Sequence, residues 1–260
     1  VTKIQLALDK DGTFLALRTE TLATVGAYLS NFSTATPTFL HGTLMAGPYK
    51  VPNVYVNVKA VFTNTAPVDA YRGAGRPEAT FSIERVVDKM CRELKLDPIE
   101  VRLKNGARNG SKSSYGPDYN VIGLQETLEA AKAHPNYKVA LGPNQGRGVA
   151  SGFWFNHGGE TSVSLAVGED GTATVSIGTP DIGGSRASIG LMVAEFLGIP
   201  YENVRVNVVE TGALGVNEPT HGSRATFASG KAAVEAARQA VGEMCRRAAA
   251  DWGIDPEAVE

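Results

Sequence analysis

Ala70-Tyr71-Arg72-Gly73-Ala74-Gly75-Arg76-Pro77-Glu78 decides how the rest of this chain is read. Two arginines flank a run of small residues, and a proline and an acid follow. Pro77 suits the first helical position, where its missing N–H costs nothing. Glu78 favours the positive end of the helix dipole. Free amides at a helix start, beside two guanidinium groups, make an anion site. The plain alternative is a surface turn with solvated arginines, because a short Gly/Arg stretch is a weak motif. From Phe81 the apolar residues Ile83, Val86, Val87, Met90 and Leu94 recur at helical spacing, which predicts a helix over Arg76–Leu94.

Upstream of this stretch the pattern is that of strands. Ile4, Leu6 and Leu8 alternate with other residues, Asp9-Lys10-Asp11-Gly12 is a hairpin turn, and Thr13 to Val25 reads as the return strand. Asn31 to Pro37 has no visible period and reads as a loop. Val54, Val56, Val58 and Ala60 make a further period-two strand. Downstream, Asp97-Pro98-Ile99-Glu100 caps a short helix through Leu103, and Gly123 to Ala133 reads as another, ended by His134-Pro135. Residues 105–120 carry Gly, Asn, Ser, Lys and Tyr without period. The expected organisation is a first domain over 1–110, a linker over 111–125 and a second domain over 126–260.

The second half echoes the first. Val163 to Val167 followed by Gly168-Glu169-Asp170-Gly171-Thr172 parallels Ile4 to Leu8 followed by Asp9-Lys10-Asp11-Gly12-Thr13. Both are strand, Asp-Gly turn, strand, although Asp-Gly is also the commonest hairpin signal. A helix with apolar positions Ile189, Met192, Val193, Phe196 and Leu197 follows. Val204, Val206 and Val208 then form a strand, and an Ala-rich helix runs to about Trp252. Three loops share one chemistry and each precedes a helix: Tyr71 to Pro77, Asp181 to Ser188 and Thr220 to Thr226. Each combines glycine, a small or hydroxyl residue and arginine, and Gly-Ser-Arg occurs twice, at Gly184 to Arg186 and Gly222 to Arg224. One ligand rich in oxygens, held by several helix N-termini, fits this set. Three ordinary capped helices with surface arginines fit it too.

Composition narrows the function classes. The 260 residues carry a net charge of −2, with 43% hydrophobic and 20% charged residues and no run of Lys or Arg, which argues against nucleic-acid binding. No apolar run approaches the ~20 residues of a membrane span. The two cysteines, Cys91 and Cys245, share no metal-like spacing and fit a reducing, cytoplasmic setting. His41, His134, His157 and His221 have no ligand spacing. No Walker loop, no Rossmann fingerprint and no Gly-x-Ser-x-Gly elbow occurs. Phe153-Trp154-Phe155 reads as core, sheet edge or substrate pocket. The chain starts in strand pattern at Val1 and stops as a helix begins, so a piece of a longer polypeptide is expected.

At the three loops the sequence resembles the molybdenum-binding large subunits of the xanthine dehydrogenase, aldehyde oxidase and carbon monoxide dehydrogenase family. The resemblance rests on the aromatic-Arg-Gly segment at Tyr71-Arg72-Gly73 and on Leu96-Asp97-Pro98-Ile99-Glu100-Val101-Arg102-Leu103-Lys104-Asn105. The Gly-rich loop at Asp181 and the Gly-Ser-Arg loop at Gly222 follow in the family's order. It implies an α+β fold of two related mixed-sheet-plus-helix domains. It also implies a molybdopterin cofactor carrying Mo, or its cytosine dinucleotide form, for water-derived hydroxylation of an aldehyde or N-heteroaromatic carbon. Electrons would leave through an iron–sulfur subunit and a flavin subunit or cytochrome, with no nucleic acid or membrane span involved and with export to the periplasm open to the complex. Carried over residue by residue, the cofactor contacts are Arg72, Gly73, Ala74, Gly75 and Arg76; Asp181, Ile182, Gly183, Gly184, Ser185 and Arg186; and His221, Gly222, Ser223, Arg224, Ala225 and Thr226. Ala74, Phe153 and Trp154 would line the substrate pocket, and no residue would bind the metal directly.

The departures are specific. Gly183-Gly184-Ser185 lacks the glutamine of the family's Gly-Gln-Gly. Ala74 stands where purine hydroxylases carry phenylalanine, and Gly73-Ala74 replaces the Cys-Ser of carbon monoxide dehydrogenases. His221 stands where some relatives carry tyrosine or alanine. An upstream glycine loop is expected before Val1 and the catalytic glutamate beyond Glu260, so no catalytic residue is assigned here and the 260-residue chain is expected to hold no molybdenum by itself. The alternatives are a non-catalytic split subunit or isolated domain that contributes only cofactor and subunit contacts, and a plain phosphate-binding module.

Overall fold

The computed structural model describes residues 1–32, 34–152, 154 and 158–259, and it forms two compact units, Val1–Trp154 and Phe155–Glu260. The first unit opens with β1 (Thr2–Leu8) and β2 (Phe14–Gly26), an antiparallel hairpin. Its turn follows from Asp11 and Gly12. The Asp11 carboxylate accepts from the Thr13 amide at 3.0 Å and the Thr13 hydroxyl at 2.7 Å, and Gly12 sits at φ +82°. β3 (Asn53–Phe62) then pairs parallel with β2, giving the order β1-β2-β3.

The crossover between β2 and β3 departs from the loop read in the sequence. Ala35–Leu40 is a π-helical turn, continued by α1 (His41–Thr43). Thr and Pro hide the helical period there, so tertiary seating rather than propensity sets this turn. The helix α2 (Arg76–Leu94) spans the residues its periodicity predicts. It presses Ile83, Val87, Met90 and Cys91 against Phe14, Leu17, Met45 and Tyr49. Each such side chain contributes about 1.5–3 kcal/mol by leaving water.

The stretch Leu96 to Asn105 turns out to be architectural. Asp97 caps α3 (Pro98–Asn105) by accepting from the Ile99 and Glu100 amides at 2.8 and 2.9 Å. Its other oxygen accepts from Tyr137 at 2.8 Å, and burial and that carboxylate raise the Tyr137 phenol to about 12. Asn105 is buried; it accepts from the Phe14 amide at 2.8 Å and donates to the Gly12 carbonyl at 2.9 Å, stapling the hairpin to α3. α4 (Leu124–Ala133) packs Leu124 and Leu128 on Ile99 and Leu103, and α5 (Pro135–Lys138) follows. That packing places residues 111–154 with the first compact unit, whose boundary lies downstream of the compositional linker at 111–125.

The second unit repeats the topology. β4 (Val163–Val167) and β5 (Ala173–Ile177) form an antiparallel hairpin, and β6 (Val204–Val208) pairs parallel with β5. The turn chemistry is the same: the Asp170 carboxylate accepts from the Thr172 amide at 3.0 Å and hydroxyl at 2.7 Å, with Gly171 at φ +80°. α6 (Ser185–Leu197) crosses from β5 to β6, and α7 (Gly230–Trp252), entered through a π-helical turn at Ala225–Ser229, packs beside it. Val175, Ile177, Ile189, Val193 and Ala233 form the core. Both sheets therefore run hairpin first, parallel strand third, which gives the sequence echo a shared architecture.

Candidate functional site

Two of the three Gly/Arg loops follow the corresponding third strands of the two sheets, and the other follows the strand with which β6 pairs. Loop 71–75 follows β3, loop 181–184 follows β5 and loop 220–224 follows β6, all at C-terminal ends of parallel strands. Ligands in open α/β sheets gather at such ends, because the loops there are free to vary above a fixed frame. In the second unit the Thr179 and Ser229 hydroxyls meet at 2.8 Å, tying the strand end before one loop to the helix after the other.

In the first unit Gly73, Ala74 and Gly75 stand at φ +95°, +44° and +87°, three successive left-handed residues. Gly75 has no room for a side chain: a Cβ there would lie 2.4 Å from the Thr36 carbonyl oxygen and 2.8 Å from the His41 nitrogen. The π-helical turn is thus the floor on which the loop rests. His41, itself buried, is tied to β2 by a 3.2 Å hydrogen bond between Nε2 and the Thr21 hydroxyl. Tyr71 and Arg72 are exposed at the tip.

The two arginines expected to grip an anion part company. Arg72 is exposed, but Arg76 is buried, and burial lowers its pKa from the ordinary arginine value. Its Nη1 donates to the Gly73 carbonyl at 3.1 Å, and its guanidinium stacks 4.0 Å from the Trp154 ring centre. Arg76 therefore braces its own loop from inside. The stacking brings one expected pocket residue, Trp154, onto the loop that also carries Ala74; Phe153 lies outside the described residues.

The loop at Gly222 repeats the device. Gly222 and Ser223 stand at φ +59° and +61°, and Arg224 is fully buried. Its Nε donates to the Gly158 carbonyl at 2.6 Å, Nη1 to the Glu218 carbonyl at 2.8 Å, and Nη2 to the Glu160 carbonyl at 2.9 Å and to the Thr161 hydroxyl. The donor fork expected to face a ligand faces the protein backbone instead. The reason is distance in sequence: three of its four acceptors, on Gly158, Glu160 and Thr161, sit more than sixty residues upstream and only the fold brings them within reach. His221 and Gly222 are half-buried and Ser223 and Thr226 are exposed beside it, whereas Ala225 is buried.

The loop at Asp181 is the open one. Gly183 and Gly184 stand at φ +65° and +82°, and a Cβ on either would meet open space. Ser185 is buried beneath them. Asp181 caps α6, accepting from the Arg186 amide at 3.1 Å and from Arg186 Nε at 2.9 Å. These two partners hold its carboxyl below the usual range. The cap is accordingly complete above the ordinary Asp pKa and is lost as pH falls through the lowered one. A carboxyl NMR titration is expected to place Asp181 below the unpaired carboxylates, and an ordinary midpoint would remove the cap. The amides of Ile182 and Gly183 make no hydrogen bond among the described residues, and they stand ahead of a 13-residue helix. That is a cradle for anionic oxygen.

No group of three or more His, Cys, Asp or Glu could hold a metal among the described residues, so the loops offer binding rather than a metal centre of their own. A hollow of about 700 Å³ in the second unit is lined by Gly159, Thr161, Val163, Phe227, Lys231 and Ala236 among others and includes no residue of the two loops. No described helix is long and apolar enough to cross a membrane. The sequence reading missed the π-helical floor and the buried Glu84. A charge at Glu84 inside the apolar stripe Ile83–Val87 was the available signal for the second.

Two family profiles, each described as a molybdopterin cofactor-binding domain, match residues 1–106 and 122–260. The chain is 32% identical to the 6-hydroxypseudooxynicotine dehydrogenase complex subunit gamma of Paenarthrobacter nicotinovorans, over 100% of this chain and 35% of that protein. It is 29% identical to the aldehyde oxidoreductase of Megalodesulfovibrio gigas, over 88% of this chain and 27% of that protein. Among solved structures, quinoline 2-oxidoreductase from Pseudomonas putida 86 superposes with a TM-score of 0.90 at 22% identity, over 100% of this chain and 36% of that one. The chain spans about a third of the length of these relatives. The matched profiles, covering both units, show that the chain belongs to the molybdopterin-binding large-subunit family of the xanthine dehydrogenases, aldehyde oxidoreductases and carbon monoxide dehydrogenases.

Proposed function

We propose that the chain supplies three loops to the molybdopterin of a molybdenum hydroxylase large subunit that acts on an aldehyde or N-heteroaromatic carbon. The observation that carries this reading is the open Gly183–Gly184 cradle, with unbonded amides ahead of α6. It fits a cofactor rich in anionic oxygen, and Arg72 and Arg186 are the exposed guanidinium groups beside the loops. When bound, molybdopterin supplies the metal at which a water-derived oxygen reaches the substrate carbon. The chain's own part is to hold and orient it. Backbone of Arg72 to Gly75, Ile182 to Ser185 and His221 to Thr226 would face it, while Arg76 and Arg224 keep two of those loops in shape from within. Ala74 and Trp154 would border the substrate. No base is assigned to this chain.

We propose a junction between the two cofactor-binding domains at 111–125, which overlaps the stretch 107–121 left between the matched profiles. Iron–sulfur and flavin or cytochrome partners are proposed for electron exit, in keeping with relatives named as subunits of dehydrogenase complexes. The free cysteines Cys91 and Cys245 fit a cytoplasmic assembly. A second reading is a scaffold that contributes cofactor contacts without catalysis, since no base is assigned to this chain. Molybdenum and pterin analysis separates the two. A large subunit of the relatives' length carrying this chain is expected to hold stoichiometric molybdenum, to lose it on Arg72→Ala, and to turn over an aldehyde. Molybdenum without turnover would favour the scaffold, and no molybdenum at all would sink both readings.

A further inference from the structure

We infer that the buried Glu84–Arg102 pair is a positioning device for Trp154 and, through it, for the loop that carries Arg72 to Arg76. The importance of that loop rests on the proposed function; the coupling itself does not. Glu84 of α2 and Arg102 of α3 are both buried, with Glu84 Oε2 accepting from Arg102 Nε at 3.0 Å and Nη2 at 2.6 Å. Tyr49 donates its hydroxyl to Oε1. An apolar pair of similar volume would hold two helices together as well as an ion pair, because desolvation offsets most of the attraction. What an apolar pair could not do is what these groups do next. Glu84 Oε2 also accepts from the Ser151 amide at 2.9 Å, and Arg102 Nη2 also donates to the Val149 carbonyl at 2.8 Å.

The pair thus grips one donor and one acceptor, two residues apart, on a segment without regular structure. Val149 also packs its side chain on the α3–α4 cluster, but a Cβ on Gly152 would meet open space. The hydrogen bonds at 149 and 151 therefore set where the segment beyond them begins. Three residues on, Trp154 stacks 4.0 Å from the Arg76 guanidinium, which holds the Gly73 carbonyl. Glu84 reaches Gly73 by this route with no direct contact.

Trp154 reports on the coupling without any cofactor, so the outcome is independent of molybdenum content. These 260 residues hold two tryptophans, and Trp252→Phe leaves Trp154 as the one tryptophan among them. In that background Glu84→Gln is expected to red-shift Trp154 emission and raise its acrylamide quenching. The Ser151 amide should exchange about tenfold faster or more, the factor that loss of a charge-assisted hydrogen bond gives. Ser151→Pro, which removes the amide donor and spares the ion pair, should shift Trp154 in the same way, and Ser151→Ala, which keeps the amide and loses only the hydroxyl's bond to Tyr49, should shift it much less. Val87→Ala, a cavity in the same helix away from the segment, is the control for general loosening and should leave the emission in place. If Glu84→Gln does not fold, Ser151→Pro against Ser151→Ala decides alone. Unchanged emission in Ser151→Pro, or an equal shift in Val87→Ala, would overturn the inference.

Discussion

Arg224→Ala is expected to cost the second unit about 3–5 kcal/mol, a loss that lowers its thermal midpoint by about 12 °C or more in a domain of this size. The substitution strips partners from the carbonyls of Gly158, Glu160 and Glu218 and from the Thr161 hydroxyl in one step. Each buried acceptor left unmet costs about 1–3 kcal/mol, and water entering the space recovers part of that. Arg224→Lys is expected to recover little, because an ammonium offers its donors from one point and cannot reach carbonyls spread around a planar fork. Arg186→Ala is the contrast: its partner Asp181 lies at the surface, and little change in unfolding is expected. Calorimetry on the three variants reads the difference. If Arg224→Ala melts with the wild type, the residue faces solvent or ligand, as its sequence context alone would have it.

Gly75→Ala is the second large effect, and it acts on the first unit. The left-handed conformation alone costs an alanine about 1–2 kcal/mol. Gly110→Ala, at φ +78° with nothing within 4 Å, carries that cost and no other. At Gly75 the added methyl would stand 2.4 Å from the Thr36 carbonyl oxygen, so the loop must lift from the π-helical turn. The expected signature is a loss of stability well beyond that of Gly110→Ala, with faster exchange of the amides of Thr36 to His41. Equal losses in the two variants would mean that the floor beneath the loop carries no weight.

Much of the frame was legible before any coordinates. The hairpins were announced by Asp11-Gly12 and Asp170-Gly171, and α2 by Pro77 and the spacing of Ile83, Val87 and Met90, because those signals are local. The pairing of β3 with β2 was not, since a parallel partner is set by a crossover and not by a turn. The π-helical floor stayed hidden because Thr36, Pro37 and Thr38 carry no helical preference. The candidate loops were found, but the roles of their arginines were not. Arg72 and Arg76 look alike in the sequence, and only the fold brings Gly73 and Trp154 onto one of them. The stretch Leu96 to Asn105 carries the family resemblance, yet Asp97, Arg102 and Asn105 serve the frame: a cap, a buried pair and a staple. That part of the resemblance thus lies on the frame, while the part at the three loops lies on the proposed ligand contacts.

What decides the proposed function is which backbone meets molybdopterin. Amide hydrogen exchange on a large subunit carrying this chain, compared with and without its cofactor, measures that directly. Slowed exchange is predicted within 72–75, 182–185 and 222–226, with β1, β4 and the outer turns of α7 unchanged. Exchange unaltered in those three loops, with protection elsewhere in the chain, would contradict it.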